Sequence, residues 1–125
     1  MYKRQGDNDI HFGKTSQIVF EDYVRFVEKV HKNLPDTKII FIPIKPSPNR
    51  WYLWHEMEKT NHMVQRYSQN NYLLYYVDTA SPMLNDRGRP KSIFFVKDSL
   101  HLNQKGYELW SSIVKPILYD LCEKK

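Results

Sequence analysis

Apolar residues recur in two rhythms along this chain. Val19, Tyr23, Phe26, Val27, Val30 and Leu34 fall at the three-and-four spacing of one helix face. Thr15 or Ser16 is placed to cap that helix and Pro35-Asp36 to end it. Lys38 to Ile44 breaks the rhythm. Its continuous β-branched run predicts a strand buried on both faces, with Pro43 marking its close. Helical spacing returns from about Arg50 to Gln69, where Trp54, Met57, Asn61, Val64 and Tyr67 share a face. Asn61 on that stripe is expected to be buried or half-buried with a backbone partner. Tyr72 to Val77 reads as a second strand, with Asp78 at its carboxyl end. Residues 79–97 form a longer connection punctuated by Pro82, Gly88 and Pro90, with a turn at Asn85 to Gly88. A last helix is predicted from about Gln104 to Leu121, with Tyr107, Trp110, Val114, Ile117, Leu118 and Leu121 inward and Pro116 kinking it or removing one hydrogen bond. Strands that alternate with helices predict a parallel sheet and the α/β class.

The length of 125 residues suits one domain with a real core. Hydrophobic residues at 41% and charged residues at 26% give a globular composition, and no run of 18 apolar residues exists that could span a bilayer. Cys122 is the one cysteine, so neither an internal disulfide nor a zinc site of Cys type is expected, and no cofactor is expected. The net charge of +5 could suit an acidic partner, but no Lys/Arg stripe forms on a helix face, and Lys3 and Arg4 supply two of the five excess charges. Most aromatics fall on apolar stripes, which argues for core and against nucleic acid. Met1 to Gln5 reads as the translation of a library-preparation adapter, so natural sequence is expected to begin at Gly6.

Candidate chemistry concentrates in Asp98-Ser99-Leu100-His101-Leu102-Asn103, just ahead of the last helix. Asn103 is a plausible N-cap, which would anchor the loop. His101 has the pKa range for general acid–base work, and Asp98, three residues away, can fix its tautomer and stabilise the imidazolium. Gly6-Asp7-Asn8-Asp9 has turn-forming composition. Ser47 lies between two prolines and lacks a strand-turn-helix elbow, so it is expected to be a loop serine rather than a nucleophile. His55 and His62 are seven apart, which suits a solvated face better than a metal site.

Taken together, Gly6-Asp7-Asn8-Asp9 and the Asp98-to-Asn103 block resemble the GDSL-like or SGNH hydrolase family. The β/α order between the blocks and Gly106-Tyr107 with Trp110 fit as well. The resemblance covers nearly all of residues 6–120. It implies a flavodoxin-like three-layer α/β/α sandwich and metal-free hydrolysis of carboxylic esters, of the esterase, lipase or acetylhydrolase type. It implies Asp98 as orienting acid, His101 as general base and Asn8 as a side-chain oxyanion-hole donor, with a small-molecule ester as partner. It also implies that Asn8 and His101 open to one cleft at the carboxyl ends of the strands.

The family's Gly-Asp-Ser block with the nucleophile is absent, as is the glycine of the next block, and both belong upstream of Gly6. The expected domain is therefore residues 6–125 as the C-terminal part of one hydrolase domain, with N-terminal strands missing. Tyr-Lys-Arg-Gln is not expected to stand in for the strand before Gly6, and the Ile39–Ile44 region or its neighbour is expected to have open ladder groups. The alternative is a non-catalytic binding protein on the same α/β fold.

Overall fold

The computed structural model describes residues 2–3 and 7–123, with side chains for 7–122. Met1, Arg4 and Gln5 of the adapter-like start, and Gly6 of the Gly6-Asp7-Asn8-Asp9 block, lie outside the described residues. Two compact units result, Met1–Ile44 with Tyr52–Tyr76, and Lys45–Trp51 with Val77–Lys125.

The first unit holds β1 (Tyr2–Lys3), α1 (Asp7–His11), α2 (Ser16–Asn33), β2 (Ile39–Phe41), α3 (Trp54–Ser68) and β3 (Leu74–Tyr76). The sheet is parallel in the order β1-β2-β3, so the α/β class with a parallel sheet holds. Tyr2 pairs with Ile40 and Lys3 with Phe41, while Ile39 faces Leu74 and Phe41 faces Tyr76. This corrects the expectation that Tyr-Lys-Arg-Gln would not stand in for the strand. Of the two places expected to have open ladder groups, it is the neighbour, β1, that stands at the edge among the described strands. The backbone of Tyr2 and Lys3 takes the place ahead of Asp7, and β2 is paired on both sides. Parallel pairing uses backbone groups alone, so the polar character of Tyr-Lys did not prevent it.

The paired part of β2 is shorter than its apolar run. Ile42, Pro43 and Ile44 stay buried beyond it. Pro43 has no N–H to give, and Ile44 bonds elsewhere. Its N–H donates to Asn61 Oδ1 at 2.9 Å and its carbonyl accepts from Asn61 Nδ2 at 3.1 Å. The Asn61 carboxamide on α3 thus substitutes for a neighbouring strand, which explains a polar residue on the apolar stripe.

Helix α2 begins as its sequence predicts, with Thr15 Oγ1 accepting from Ile18 N–H. Ser16 N–H donates to Glu56 Oε2 at 2.9 Å, and this bond together with the nearby Ser16 hydroxyl holds the Glu56 carboxyl below its ordinary pKa. The central cluster is Tyr23, Val27, Ile39, Phe41, Val64 and Leu74. Each apolar side chain buried there contributes about 1.5–3 kcal/mol. A second cluster joins Ile10, Val19, Ile44 and Met57. The turn expected at Asp7 to Asp9 is instead the first part of α1, where Asp7 and Asp9 complement the positive end of the helix dipole.

The second unit is built on α4 (Gln104–Glu123) and two single-turn 3-10 helices, Ser81–Met83 and Ser92–Phe94. Met83, Phe95, Leu102 and Trp110 are buried, and Trp110 Nε1 lies 3.4 Å from Met83 Sδ. The inward face of α4 is narrower than its periodicity suggests. Tyr107 and Leu118 are exposed, and no described residue after Trp110 on this helix is buried. Tyr52, Tyr72 and Tyr119 are exposed as well, so fewer tyrosines are core than their spacing implied.

Candidate active site

The Asp98–His101 loop is shaped by a ladder of short-range bonds within the second unit. Phe95 and Leu102 form an antiparallel bridge, and Val96 N–H donates to the His101 carbonyl at 2.9 Å. Ser99 N–H returns to the Val96 carbonyl at 2.9 Å, which closes a tight turn. Ser99 sits at φ +58°, the left-handed region where glycine is at ease. Serine meets that backbone requirement here under some strain.

Asp98 holds this turn with both carboxylate oxygens. Oδ1 accepts from Leu100 N–H at 2.9 Å and from His101 N–H at 3.0 Å. Oδ2 lies 2.6 Å from His101 Nδ1. The His101 ring bond, then the His101 and Leu100 amides, pull the Asp98 pKa down to about 2. The carboxylate is thus ionised and oriented before any ligand arrives. The His101 side chain is 71% exposed, and Nε2 has no partner among the described residues. An exposed imidazole with Nδ1 occupied can exchange a proton at Nε2.

Asn103 fastens the loop to the helix. Its Oδ1 accepts from Gly106 N–H at 3.0 Å, the capping bond predicted from sequence. Its Nδ2 donates to the Ile93 carbonyl at 2.7 Å and the Phe95 carbonyl at 3.2 Å. Gly106 permits this packing, because a Cβ there would meet the Phe94 carbonyl oxygen at 2.5 Å. Asn49 supplies a further tie, with N–H to the Ser99 carbonyl at 3.0 Å and Nδ2 to the Asp98 carbonyl at 3.1 Å. The proline-flanked loop around Ser47 is thereby tied to the Asp98 turn. No local signal marks a bond that spans 49 positions.

Of the expected site residues, the structure brings Asp98 and His101 together. Asn8 lies on α1 in the first unit, exposed at its side chain, with its carbonyl accepting from Phe12 N–H at 2.9 Å. Ser47 is buried, and its Oγ accepts from Arg50 N–H at 3.3 Å, so it braces its own loop. His55 and His62 are exposed on α3. No group of three or more metal-ligating side chains occurs among the described residues. No described helix is long and apolar enough to cross a membrane.

The profile of the GDSL-like Lipase/Acylhydrolase family matches residues 6–109. The chain belongs to that family. Solved GDSL-type structures share its fold. A carbohydrate esterase family 3 protein from Talaromyces cellulolyticus superposes with a TM-score of 0.83 at 18% identity, over 99% of this chain and 58% of its own. A GDSL-like lipase from Bacteroides thetaiotaomicron gives 0.82 at 18% identity, over 96% and 62%. The esterase domain of the ORF1 protein of a zebrafish retrotransposon gives 0.73 at 22% identity, over 92% and 65%. This chain therefore spans less than two thirds of the length of each. No curated protein matches the sequence.

Proposed function

We propose that this chain carries the acid–base pair and one oxyanion donor of a serine hydrolase that cleaves carboxylic esters. The observation that carries the reading is the 2.6 Å approach of Asp98 Oδ2 to His101 Nδ1, on a carboxylate already fixed by two amides. Family membership supports the reaction class.

In this reading Asp98 holds the proton on Nδ1 and leaves the Nε2 lone pair as the base. Nε2 takes the proton of a serine hydroxyl as its oxygen attacks the ester carbonyl. The imidazolium, stabilised by Asp98, then returns that proton to the departing alkoxide. Water repeats the cycle on the acyl-enzyme. The Asn8 carboxamide donates to the oxyanion, a contribution of roughly 100- to 1000-fold in rate for such a donor. In this reading the nucleophilic serine belongs to the family's Gly-Asp-Ser block, which these 125 residues do not contain, while Ser47 is buried in its loop and Ser99 serves the turn.

The tautomer is open to direct test on the chain as it stands. Nitrogen-15 spectra at neutral pH should show His101 protonated at Nδ1 and unprotonated at Nε2, and Asp98→Asn should disturb that preference. A wild-type ring protonated on Nε2 instead would remove the base from the mechanism.

A further inference from the structure

The turn that carries Asp98 and His101 is gripped from a distant part of the same unit. Among the described residues, Ser99 is the one other than glycine at positive φ. Its φ and ψ relate two neighbouring peptide groups, 98–99 and 99–100. A residue with a Cβ loses free energy in the left-handed region, so those two groups have to be held there.

Each of them is held at both edges. In the 98–99 group the Asp98 carbonyl accepts from Asn49 Nδ2 at 3.1 Å, and Ser99 N–H donates to the Val96 carbonyl at 2.9 Å. In the 99–100 group the Ser99 carbonyl accepts from Asn49 N–H at 3.0 Å, and Leu100 N–H donates to Asp98 Oδ1 at 2.9 Å. Asn49 thus grips one edge of both groups. Two hydrogen bonds of ordinary strength are comparable to the cost of placing serine in the left-handed region.

A peptide group is planar, so its two edges turn together. Release of the Ser99 carbonyl lets the 99–100 group rotate toward the conformations that serine prefers. The same rotation swings Leu100 N–H away from Asp98 Oδ1. The other oxygen of that carboxylate, Oδ2, is the one 2.6 Å from His101 Nδ1. The path from Asn49 to the imidazole therefore runs through observed hydrogen bonds and rigid groups.

Asn49 is well placed for this task because its own loop is stiff. Pro46 and Pro48 fix φ on either side of Ser47. Pro46 and Ser47 are buried, and Ser47 Oγ accepts from Arg50 N–H at 3.3 Å. An anchor already ordered by its own packing adds little entropy loss when it holds a second segment.

We propose that Asn49 is a positioning residue of the acid–base pair: it locks the peptide groups on both sides of Ser99 and thereby keeps Asp98 aimed at His101 Nδ1. The inference rests on the ester-hydrolase reading for what the pair does, and on the hydrogen bonds for how the pair is held. Asn49 acts through the Asp98 carboxylate.

NMR of the full 125-residue chain tests this with Asn49→Ala, Ser99→Gly, the two combined, and Thr15→Ala. Asn49 is exposed, so its alanine variant keeps the fold. In Asn49→Ala the Asp98 carboxyl carbon should titrate about one pH unit higher than in the wild type, and exchange of the Leu100 amide should quicken about tenfold. The His101 nitrogen-15 signals should lose part of their Nδ1 preference. Ser99→Gly alone should leave Asp98 in place, since glycine takes the left-handed region freely, and in the combined variant it should recover most of the change. Thr15→Ala removes a helix cap in the first unit, so it should lower the urea midpoint and move none of these signals. An Asp98 midpoint in Asn49→Ala within about 0.2 pH units of the wild type, or a change no larger than Thr15→Ala produces, overturns the positioning role and leaves the reading of Asp98 and His101 standing. A change that Ser99→Gly does not reverse overturns the route through the Ser99 peptide groups. A wild-type His101 ring protonated on Nε2 overturns the ester-hydrolase reading instead.

Discussion

Removal of the Asn103 side chain tests how the candidate site is held. Asn103→Ala deletes the helix cap to Gly106 and both donors to the carbonyls of Ile93 and Phe95. Loss of a cap of this kind costs about 1 kcal/mol. The exposed Ile93 carbonyl can be rehydrated at a cost of about 0.5 kcal/mol, and the partly buried Phe95 carbonyl adds about 1 kcal/mol. The expected destabilisation is therefore roughly 2–3 kcal/mol, a shift of about 1–2 M in urea midpoint for a protein of this size. Asn103→Ser keeps a capping oxygen but cannot reach both carbonyls, so it should lose only about 1–2 kcal/mol. Equilibrium urea unfolding gives both values. Hydrogen exchange at Leu100 and His101 should quicken more in the alanine variant. A loss below about 0.5 kcal/mol in Asn103→Ala, or equal damage from serine and alanine, would refute the claim that this carboxamide ties three backbone groups together.

Two further outcomes are expected. The Tyr23 hydroxyl is fully buried and has no partner among the described residues, and burial raises its pKa, so Tyr23→Phe should be neutral or stabilising by up to about 1 kcal/mol in thermal unfolding; a clear loss would mean the hydroxyl is bonded. Asp98, depressed to about 2 from the ordinary 3.8, contributes stability that is full above about pH 4 and is lost as pH falls through 2, so its carboxyl carbon should titrate near pH 2 by NMR, and a midpoint near 4 would contradict the bonds assigned to it.

Much of this was legible in the sequence where a residue type has one physical use. Thr15 and Asn103 announced their helix starts, because a short acceptor ahead of an apolar stripe has few other roles. Asn61 announced a buried backbone partner for a similar reason, though not that the partner would be Ile44. The Asp98–His101 pair was legible because three residues in a tight turn leave the two side chains within reach. What was hidden depends on distant chain. Tyr2 and Lys3 look too polar for a sheet, yet parallel pairing needs only their backbone beside β2. Leu118 has the spacing of a core residue, but the burial on α4 stops at Trp110.

The central claim is that His101, oriented by Asp98, is the base of a serine ester hydrolase. The most direct measurement is the turnover of p-nitrophenyl acetate by this chain joined to an upstream segment bearing a Gly-Asp-Ser block, with and without His101→Ala. The account predicts clear turnover in the joined protein and a loss approaching a million-fold in the variant, the scale seen when a serine hydrolase loses its histidine. Turnover that survives His101→Ala within about tenfold would contradict it.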